Sequence, residues 1–180
     1  MKRFVFGILT VMLMLGLSGC SDNTDLVKNG VMNFNKTITV GEAFDNWKDC
    51  KHSEWSSFET DNKIPVVQFT CVKKGTREYM TKVKSFLSKK EQEKAFFLDI
   101  KSNIQEFQWT INKDNTFQIN NVQVKTEWSD GKKFSDSQKS MEQLKSVYNN
   151  EITWDMNTLN KATASQIAYV FRFIKKTKAK

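Results

Sequence analysis

Alternation of apolar and polar side chains in two central segments is the feature that most constrains the fold of this chain. Residues 66–72 and 106–111 both place apolar side chains at every second position. Because successive side chains of a strand point to opposite faces of a sheet, each segment predicts a strand with one buried face. The side chains expected on these buried faces are Val67, Phe69, Cys71, Phe107, Trp109 and Ile111.

Turn-forming residues beside these segments predict antiparallel hairpins. Residues 60–63 form a polar turn before the first strand, and residues 112–115 form another after the second, where Asn115 can adopt a left-handed conformation. The apolar phase slips within the return strand over residues 117–124, which predicts a β-bulge at residues 120–121.

Three further segments are expected to be extended. Residues 30–38 hold apolar side chains among polar ones and predict a first strand, and Trp55 and Phe58 predict a strand before the turn at residue 60. Residues 95–100 also favour β-structure, and the Asp-Gly pair at residues 130–131 predicts a tight turn.

Capping patterns and helical periodicity predict helices elsewhere. Thr39 and Glu42 fit a capping box, and the helix that follows is expected to end near Asp49. Apolar residues over 79–87 recur at the spacing of an amphipathic helix. Residues 135–138 read Ser-x-x-Gln and predict the start of another helix, whose buried stripe would be Met141, Leu144, Val147 and Tyr148.

The end of the chain fits two structures. Residues 163–176 match both a helical and a strand period, and their β-branched and aromatic content slightly favours a strand. Strands joined by hairpins and helices outside them are typical of an α+β fold. We expect a single domain over residues 30–180, with an antiparallel sheet of about five or six strands and about two or three helices packed on one face.

The first twenty residues are organised like a bacterial export signal. Lys2 and Arg3 precede an apolar run over residues 4–17, which is shorter than the ~20 residues needed to cross a bilayer. A cationic start, a short apolar run and small residues before a cleavage point are typical of a secretory signal peptide. The run ends in Leu-Ser-Gly-Cys at residues 17–20, which resembles the lipobox of bacterial lipoproteins.

This resemblance implies processing and lipid attachment. Residues 1–19 would be removed, and Cys20 would carry fatty acyl chains such as palmitate. In Gram-negative lipoproteins Ser21, in place of aspartate, implies the inner leaflet of the outer membrane, facing the periplasm, rather than the inner membrane. The polar residues 20–29 are expected to tether the lipid to the domain. The alternative is an ordinary signal peptide with a fortuitous cysteine.

The two remaining cysteines form an even pair. Because an exported chain enters an oxidising compartment, we expect a disulfide between Cys50 and Cys71. The bond would join the end of the helix that begins near residue 40 to the strand over residues 66–72. The alternative is a metal site made by Cys50, His52 and Cys71, although zinc sites usually have closer, paired ligands. We therefore expect no metal.

Residue types that carry catalysis are sparse. His52 is the only histidine and lies in a polar segment. The sequence contains neither Gly-x-Ser-x-Gly nor a glycine-rich phosphate loop. The carboxylate pairs Glu91 with Glu93 and Asp45 with Asp49 are expected on solvated helix faces. We therefore expect neither enzymatic activity nor a cofactor.

A basic and partly aromatic surface is the candidate binding feature. The chain has a net charge of +8, and four of its last six residues are lysines. Such a surface attracts anionic partners, although a frayed, solvated terminus is the simpler interpretation. Trp47 and Trp109 lie on apolar faces and are expected in the core. The candidate surface residues are Trp128, Trp154, Lys175, Lys176 and Lys178.

Together these features predict a membrane-anchored periplasmic lipoprotein that acts as a non-catalytic binding module with an unknown envelope protein as partner. The alternative is an inhibitor or immunity lipoprotein that blocks an incoming enzyme, toxin or phage product. Nucleic acid is not an expected partner, because an exported lipoprotein does not normally meet it. Residues 28–30, 39–46 and 66–71 are similar to an uncharacterised group of small bacterial lipoproteins, and this likeness implies no activity.

Overall fold

The computed structural model describes residues 20–180 of the protein, with side chains from residue 23 onward. The predicted signal peptide, residues 1–19, and the side chain of Cys20 lie outside the described residues. The described chain forms five β-strands, six α-helices and two short 3-10 helices. Among these residues, no helix is both long and apolar enough to cross a membrane.

Along the chain, groups of helices alternate with groups of strands. The strands are β1 (Cys50–Glu59), β2 (Pro65–Lys73), β3 (Ile100–Ile111), β4 (Phe117–Trp128) and β5 (Lys133–Ser137). The helices are α1 (Cys20–Asn29), α2 (Val40–Asp45), α3 (Thr76–Ser85), α4 (Lys89–Gln92), α5 (Ser140–Tyr148) and α6 (Lys161–Thr177). The 3-10 helices are Phe96–Leu98 and Met156–Thr158.

The five strands form one antiparallel sheet in the order β1-β2-β3-β4-β5, so each strand pairs with its neighbour in the chain. This arrangement confirms the predicted α+β class. The predicted turns close the hairpins, with Asn115 at a φ of 60° and Gly131 at a φ of 86°. The predicted bulge is also present, because Trp109 pairs with Ile119 whereas the preceding Gln108 pairs with Asn121.

The helix-covered face of the sheet carries two hydrophobic clusters. The first core contains Val67, Phe69, Phe107 and Trp109, which pack against Phe44 and other residues of α1, α2 and α5. The second core contains Ile100 and Trp128 from the far ends of β3 and β4, together with residues of α3 and α6. Trp47 and Trp109 are both buried, as predicted.

The sequence-predicted helix after Thr39 is confirmed, including its cap. The Thr39 side chain accepts from the Glu42 amide at 3.0 Å, and the Glu42 carboxylate accepts from the Thr39 amide at 3.0 Å. The helix is shorter than predicted and ends at Asp45.

Two N-terminal segments differ from their predictions. Residues 20–29, expected as a polar tether, form helix α1, because Val27 is fully buried in the first core and fixes one face of the helix. Residues 30–38 form no strand and make only an isolated bridge. There the Asn35 side chain accepts hydrogen bonds from the amide and hydroxyl of Thr37 at 3.0 and 2.7 Å, and such local bonds compete with strand pairing.

The segments around the middle helices also differ. Residues 95–100, expected to be extended, contain the 3-10 helix Phe96–Leu98 and join β3 only at Ile100. Residues 135–138 do not cap a helix, because the turn at Gly131 directs the chain back along β4 as strand β5. Helix α5 begins later, at Ser140, and buries Leu144 and Val147.

The C-terminal segment is a helix, so the slight preference for a strand was wrong. Asn160 caps α6 by accepting from the amides of Ala162 and Thr163. Ala164, Ala168 and Lys175 are buried on the side that faces the second core. The buried positions are four and seven residues apart, which is the spacing of whole helical turns. A strand would bury every second residue instead.

The predicted disulfide is present between Cys50 and Cys71, whose Cα atoms lie 5.3 Å apart. It joins the first residue of β1 to a fully buried position of β2. Because both thiols are bonded to each other, they do not form the alternative metal site with His52. His52 itself is exposed on the edge strand β1.

Replacing both disulfide cysteines with alanine is expected to lower the free energy of unfolding. The sequence separation is 21 residues, for which the loss of loop-closure restraint in the unfolded chain predicts about 3 kcal/mol. Urea denaturation of the wild type and of Cys50→Ala/Cys71→Ala measures this difference. Dithiothreitol should destabilise the wild type to a similar extent and leave the stability of the variant unchanged. If dithiothreitol also destabilises the variant, the loss is not due to the disulfide between Cys50 and Cys71.

Candidate functional site

The predicted aromatic part of the binding surface is not on the surface. Trp128 is fully buried, and its indole nitrogen donates to the Phe97 carbonyl at 2.8 Å. Although Trp128 precedes a turn, it is the last residue of β4 on the helix-covered face and pairs with Ile100. Trp128 is buried because the strand register places it on the helix-covered face of the sheet. Its closeness to the turn has no effect on this.

Trp154 is also not part of an exposed patch. It is half-buried and packs against Tyr79 and Phe171, with ring centroids at 5.3 and 6.2 Å. Its indole nitrogen is buried without a hydrogen-bond partner within the described part of the chain. Trp154 therefore contributes to the second core.

Two of the three predicted lysines are exposed and one is buried. Lys176 and Lys178 face solvent, whereas Lys175 is only 5% exposed. The Lys175 amine donates to the Phe96 carbonyl at 3.1 Å and pairs with the Asp130 carboxylate at 2.9 Å. Lys175 therefore joins α6 to the Phe96–Leu98 turn and to the β4–β5 hairpin.

The C-terminal segment is ordered against the sheet and is not frayed. The Lys133 amide donates to the Lys180 carbonyl at 2.8 Å, and the Lys180 amide donates to the Lys133 carbonyl at 2.9 Å. This pair extends the sheet edge beside β5. These bonds fix the backbone of this segment relative to the sheet.

A cleft of about 660 Å³ opens beside Lys175, and we call it the basic cleft. Its walls come from α4, the Phe96–Leu98 turn, the β4–β5 hairpin and α6. The lining residues are Lys90, Glu91, Lys94, Phe96, Phe97, Asp130, Lys132, Arg172, Lys175 and Lys176. Six cationic residues therefore meet two acidic ones at one end of the sheet.

Both carboxylates of the basic cleft are already engaged within the protein. The hydrogen bond from Lys175 is the main cause that lowers the pKa of Asp130. Hydrogen bonds from the Ser88 hydroxyl and amide are the main causes that lower the pKa of Glu91, with a smaller contribution from Arg172. The remaining cations thus outnumber the acidic groups available to neutralise them.

Four exposed lysines of the cleft have no ion pair. Among residues 23–180, no carboxylate pairs with the amines of Lys90, Lys94, Lys132 or Lys176. The guanidinium carbon of Arg172 lies over the Phe97 ring, 4.8 Å from the ring centroid. Arg172 therefore places a planar fork of donors among the residues that line the cleft.

An exposed aromatic ring lies among these cations. Phe96 is 61% exposed, the second-largest exposure after Tyr169 among the exposed large apolar side chains described. The Lys175 amine lies 5.3 Å from the Phe96 ring centroid. The arrangement offers both an apolar contact and a concentration of positive charge to one ligand.

Sequence analysis found Lys175 and Lys176 but missed α4, Phe96 and Arg172. A signal for α4 was present, because Ser88 and Glu91 have the same capping-box spacing as Thr39 and Glu42. No local pattern marks the approach of α6 to the Phe96–Leu98 turn, since Lys175 and Phe96 are 79 positions apart.

A second cluster of polar groups is buried and lies apart from the cleft. Asp49 and Lys73 form an ion pair, and Asp49 also accepts from the amide and hydroxyl of Thr153 at 3.0 and 2.6 Å. Burial lowers the pKa of Lys73 to about 8, against the opposing effect of Asp49. The Lys73 amine also lies 3.8 Å from the centroid of the Trp47 ring. Because Asp49 and Lys73 are buried and Asp49 also bonds to Thr153, this cluster links β2 to the segment before the 3-10 helix Met156–Thr158.

The carboxylates of the predicted pair Asp45 and Asp49 are both engaged by other side chains. Asp45 pairs with Lys28 at 2.8 Å and accepts from the Trp55 indole at 2.7 Å, whereas Asp49 is buried with Lys73. Across the described residues, no group of three or more histidine, cysteine or acidic side chains is arranged to hold a metal ion.

No protein-family model, no curated protein and no solved structure matches this chain.

Proposed function

We propose that this chain is a lipid-anchored protein of the bacterial envelope whose folded domain binds a partner and catalyses no reaction. The observation that carries the proposal is the Leu-Ser-Gly-Cys sequence at residues 17–20 after a cationic, apolar leader. The disulfide between Cys50 and Cys71 supports export, because such bonds persist in oxidising compartments. Acyl chains on Cys20 would hold the protein at the membrane, since each buried CH2 contributes about 0.8 kcal/mol.

The proposed anchor would lie close to the folded domain. Helix α1 runs from Cys20 to Asn29 and packs through Val27 into the first core. A ten-residue helix is only about 15 Å long. With Ser21 after the lipidated cysteine, the proposed location is the inner leaflet of the outer membrane, with the domain in the periplasm.

Binding is proposed because the most distinctive surface is suited to recognition. The basic cleft combines unpaired lysines with an exposed Phe96. By contrast, the amine of Lys73, whose pKa is lowered to about 8, is buried against Asp49 and Trp47. The groups with unsatisfied charge therefore lie where a ligand or partner reaches them.

A second candidate function is an inhibitor or immunity lipoprotein that acts on an incoming enzyme, toxin or phage product. The excess of cations in the basic cleft favours this candidate where the target is acidic. An interaction dominated by exposed charges weakens with salt, because ions screen it. Crosslinking in the envelope at low and high ionic strength would separate such a target from a partner bound through apolar contacts.

Lipid attachment is tested by Cys20→Ser. We expect the wild type to incorporate radiolabelled palmitate and to sediment with outer-membrane fractions, whereas Cys20→Ser incorporates no label and leaves the membrane. Cys50→Ala/Cys71→Ala is the matched control, since it also removes thiols but should keep the label. Ser21→Asp should retain the labelled protein in the inner membrane. An unlabelled wild type would remove the basis of the proposal.

A further inference from the structure

We propose that the basic cleft is a binding site for an organic phosphate, meaning a small molecule with a phosphate group and an apolar substituent. This inference deepens the proposed binding function by naming the chemical class of its ligand. It depends on the size of the cleft, its unpaired charge, the presence of Arg172 in its lining and the exposure of Phe96.

The size of the cleft favours a small ligand over a protein segment. Its volume of about 660 Å³ lies within the range of roughly 300–1,000 Å³ typical of small-molecule sites. Residues of α6, of α4 and of the Phe96–Leu98 turn line this cleft.

The charge of the cleft favours phosphate over a single carboxylate. Lys90, Lys94, Lys132 and Lys176 have no ion-pair partner among the described residues, and Arg172 adds a fifth cation. A phosphate monoester carries a charge of about −1.5 to −2 at pH 7 and offers three acceptor oxygens. It therefore neutralises more of this charge than a carboxylate, which carries a single charge.

Arg172 adds a guanidinium to this group of cations. Its guanidinium carbon lies over the Phe97 ring, 4.8 Å from the ring centroid, and its side chain lines the cleft. A planar guanidinium binds two phosphate oxygens at once, which a lysine amine does not do. The lysines around it supply additional charge without that geometry.

Lys175 and Phe96 define the rest of the site. The Lys175 amine is occupied by the Phe96 carbonyl and by Asp130, so it fixes the walls and is a positioning residue. That bond holds the Phe96 backbone while its ring is 61% exposed at the opening. The ring provides the apolar contact for the substituent of the ligand.

Binding is tested with phenyl phosphate as the probe. The full-length lipoprotein, purified in a non-ionic detergent, is titrated and followed by phosphorus NMR. We expect saturable binding of phenyl phosphate and an affinity lower by about tenfold for inorganic phosphate and for benzoate, each of which lacks one of the two recognised groups. Benzoate contains no phosphorus, so its affinity is measured by its displacement of phenyl phosphate. Absence of saturable binding by phenyl phosphate would overturn the proposal.

Variants distinguish a built site from general basicity. Lys94→Gln/Lys176→Gln should weaken phenyl phosphate binding by about tenfold, and Arg172→Lys should weaken it severalfold although the charge is kept. Phe96→Ala should lower the affinity for phenyl phosphate to that for inorganic phosphate. Lys36→Gln/Lys113→Gln removes two exposed charges outside the cleft and should leave binding unchanged. An equal loss in this control would overturn the assignment.

Two competitors identify the source of the ligand. Displacement of phenyl phosphate by vesicles that contain phosphatidylglycerol would support a lipid headgroup, and retention of the probe would support a soluble ester. A hexaglutamate peptide that binds more tightly than phenyl phosphate would overturn the assignment in favour of an acidic protein segment. Palmitate labelling of Cys20 is independent of these titrations, so failure of the ligand assignment is distinguishable from failure of the proposed anchoring.

Discussion

Replacing Lys73 with methionine is expected to lower the free energy of unfolding by about 3–5 kcal/mol, because it leaves a buried carboxylate without its cation. Asp49 is fully buried, and Lys73 is 5% exposed. The two hydrogen bonds from Thr153 remain in the variant but supply no compensating charge. Urea denaturation at pH 7 measures the effect.

The double variant Asp49→Asn/Lys73→Met provides the decisive comparison. It removes both charges, so much of the lost stability should return, as buried ion pairs are often replaceable by neutral groups. Lys101→Met breaks the exposed pair with Glu127 and serves as the matched control, with an expected effect below about 1 kcal/mol. If the double variant is no more stable than Lys73→Met, the uncompensated Asp49 charge is not the cause.

The pH dependence of stability provides a second readout of the same pair. The pKa of Lys73 is about 8 in the folded protein and 10.5 as its ordinary value. Between these values the unfolded chain holds this proton and the folded chain does not, so the unfolded state binds more protons. The contribution of Lys73 to the free energy of unfolding therefore rises from about pH 8 to 10.5 and is constant below pH 8. The free energy of unfolding of the wild type, minus that of Lys73→Met, should therefore increase as the pH rises from about 8 to 10.5.

Replacing Phe44 with alanine is expected to cost about 3–5 kcal/mol of unfolding free energy, because it opens a cavity in the first core. Phe44 is 1% exposed. Its ring lies within 5.8 Å, centroid to centroid, of four other aromatic rings, which are Trp55, Phe69, Phe107 and Trp109. Edge-to-face pairs of this kind add stability beyond the buried area.

Urea denaturation followed by tryptophan fluorescence measures this loss, because Trp55 and Trp109 report directly on the cluster. Phe58→Ala is the matched control: Phe58 is 41% exposed on β1 and its removal should cost below about 1 kcal/mol. A loss from Phe44→Ala of less than about 2 kcal/mol would show that the surrounding rings refill the space.

Features set by near neighbours in the chain were predictable from sequence. The capping box at Thr39, the alternation in β2 and β3 and the bulge after Ile119 each depend on residues a few positions apart. Strand β5 was missed because its residues are mostly polar and exposed at the sheet edge. Helix α6 was ambiguous because its apolar residues satisfy both periods, and contact with the second core decides between them.

The candidate site was only partly predictable for the same reason. Lys175 and Lys176 stand out in a lysine-rich segment, and no local pattern shows that Lys175 is buried. The basic cleft exists because α6 packs beside the Phe96–Leu98 turn and the β4–β5 hairpin. Trp128 was misplaced because its burial depends on which face of β4 the register assigns to it.

The exposed edges of the sheet bear on aggregation. An unpaired strand edge can pair with a strand of another chain. Edge strand β1 carries Lys51 and Glu54 among its exposed residues, and edge strand β5 is five residues long and contains Lys133 and Asp136. Charges on short or polar edges oppose edge-to-edge pairing. The same polar residues that made β5 hard to predict from the sequence therefore oppose pairing between copies of the domain.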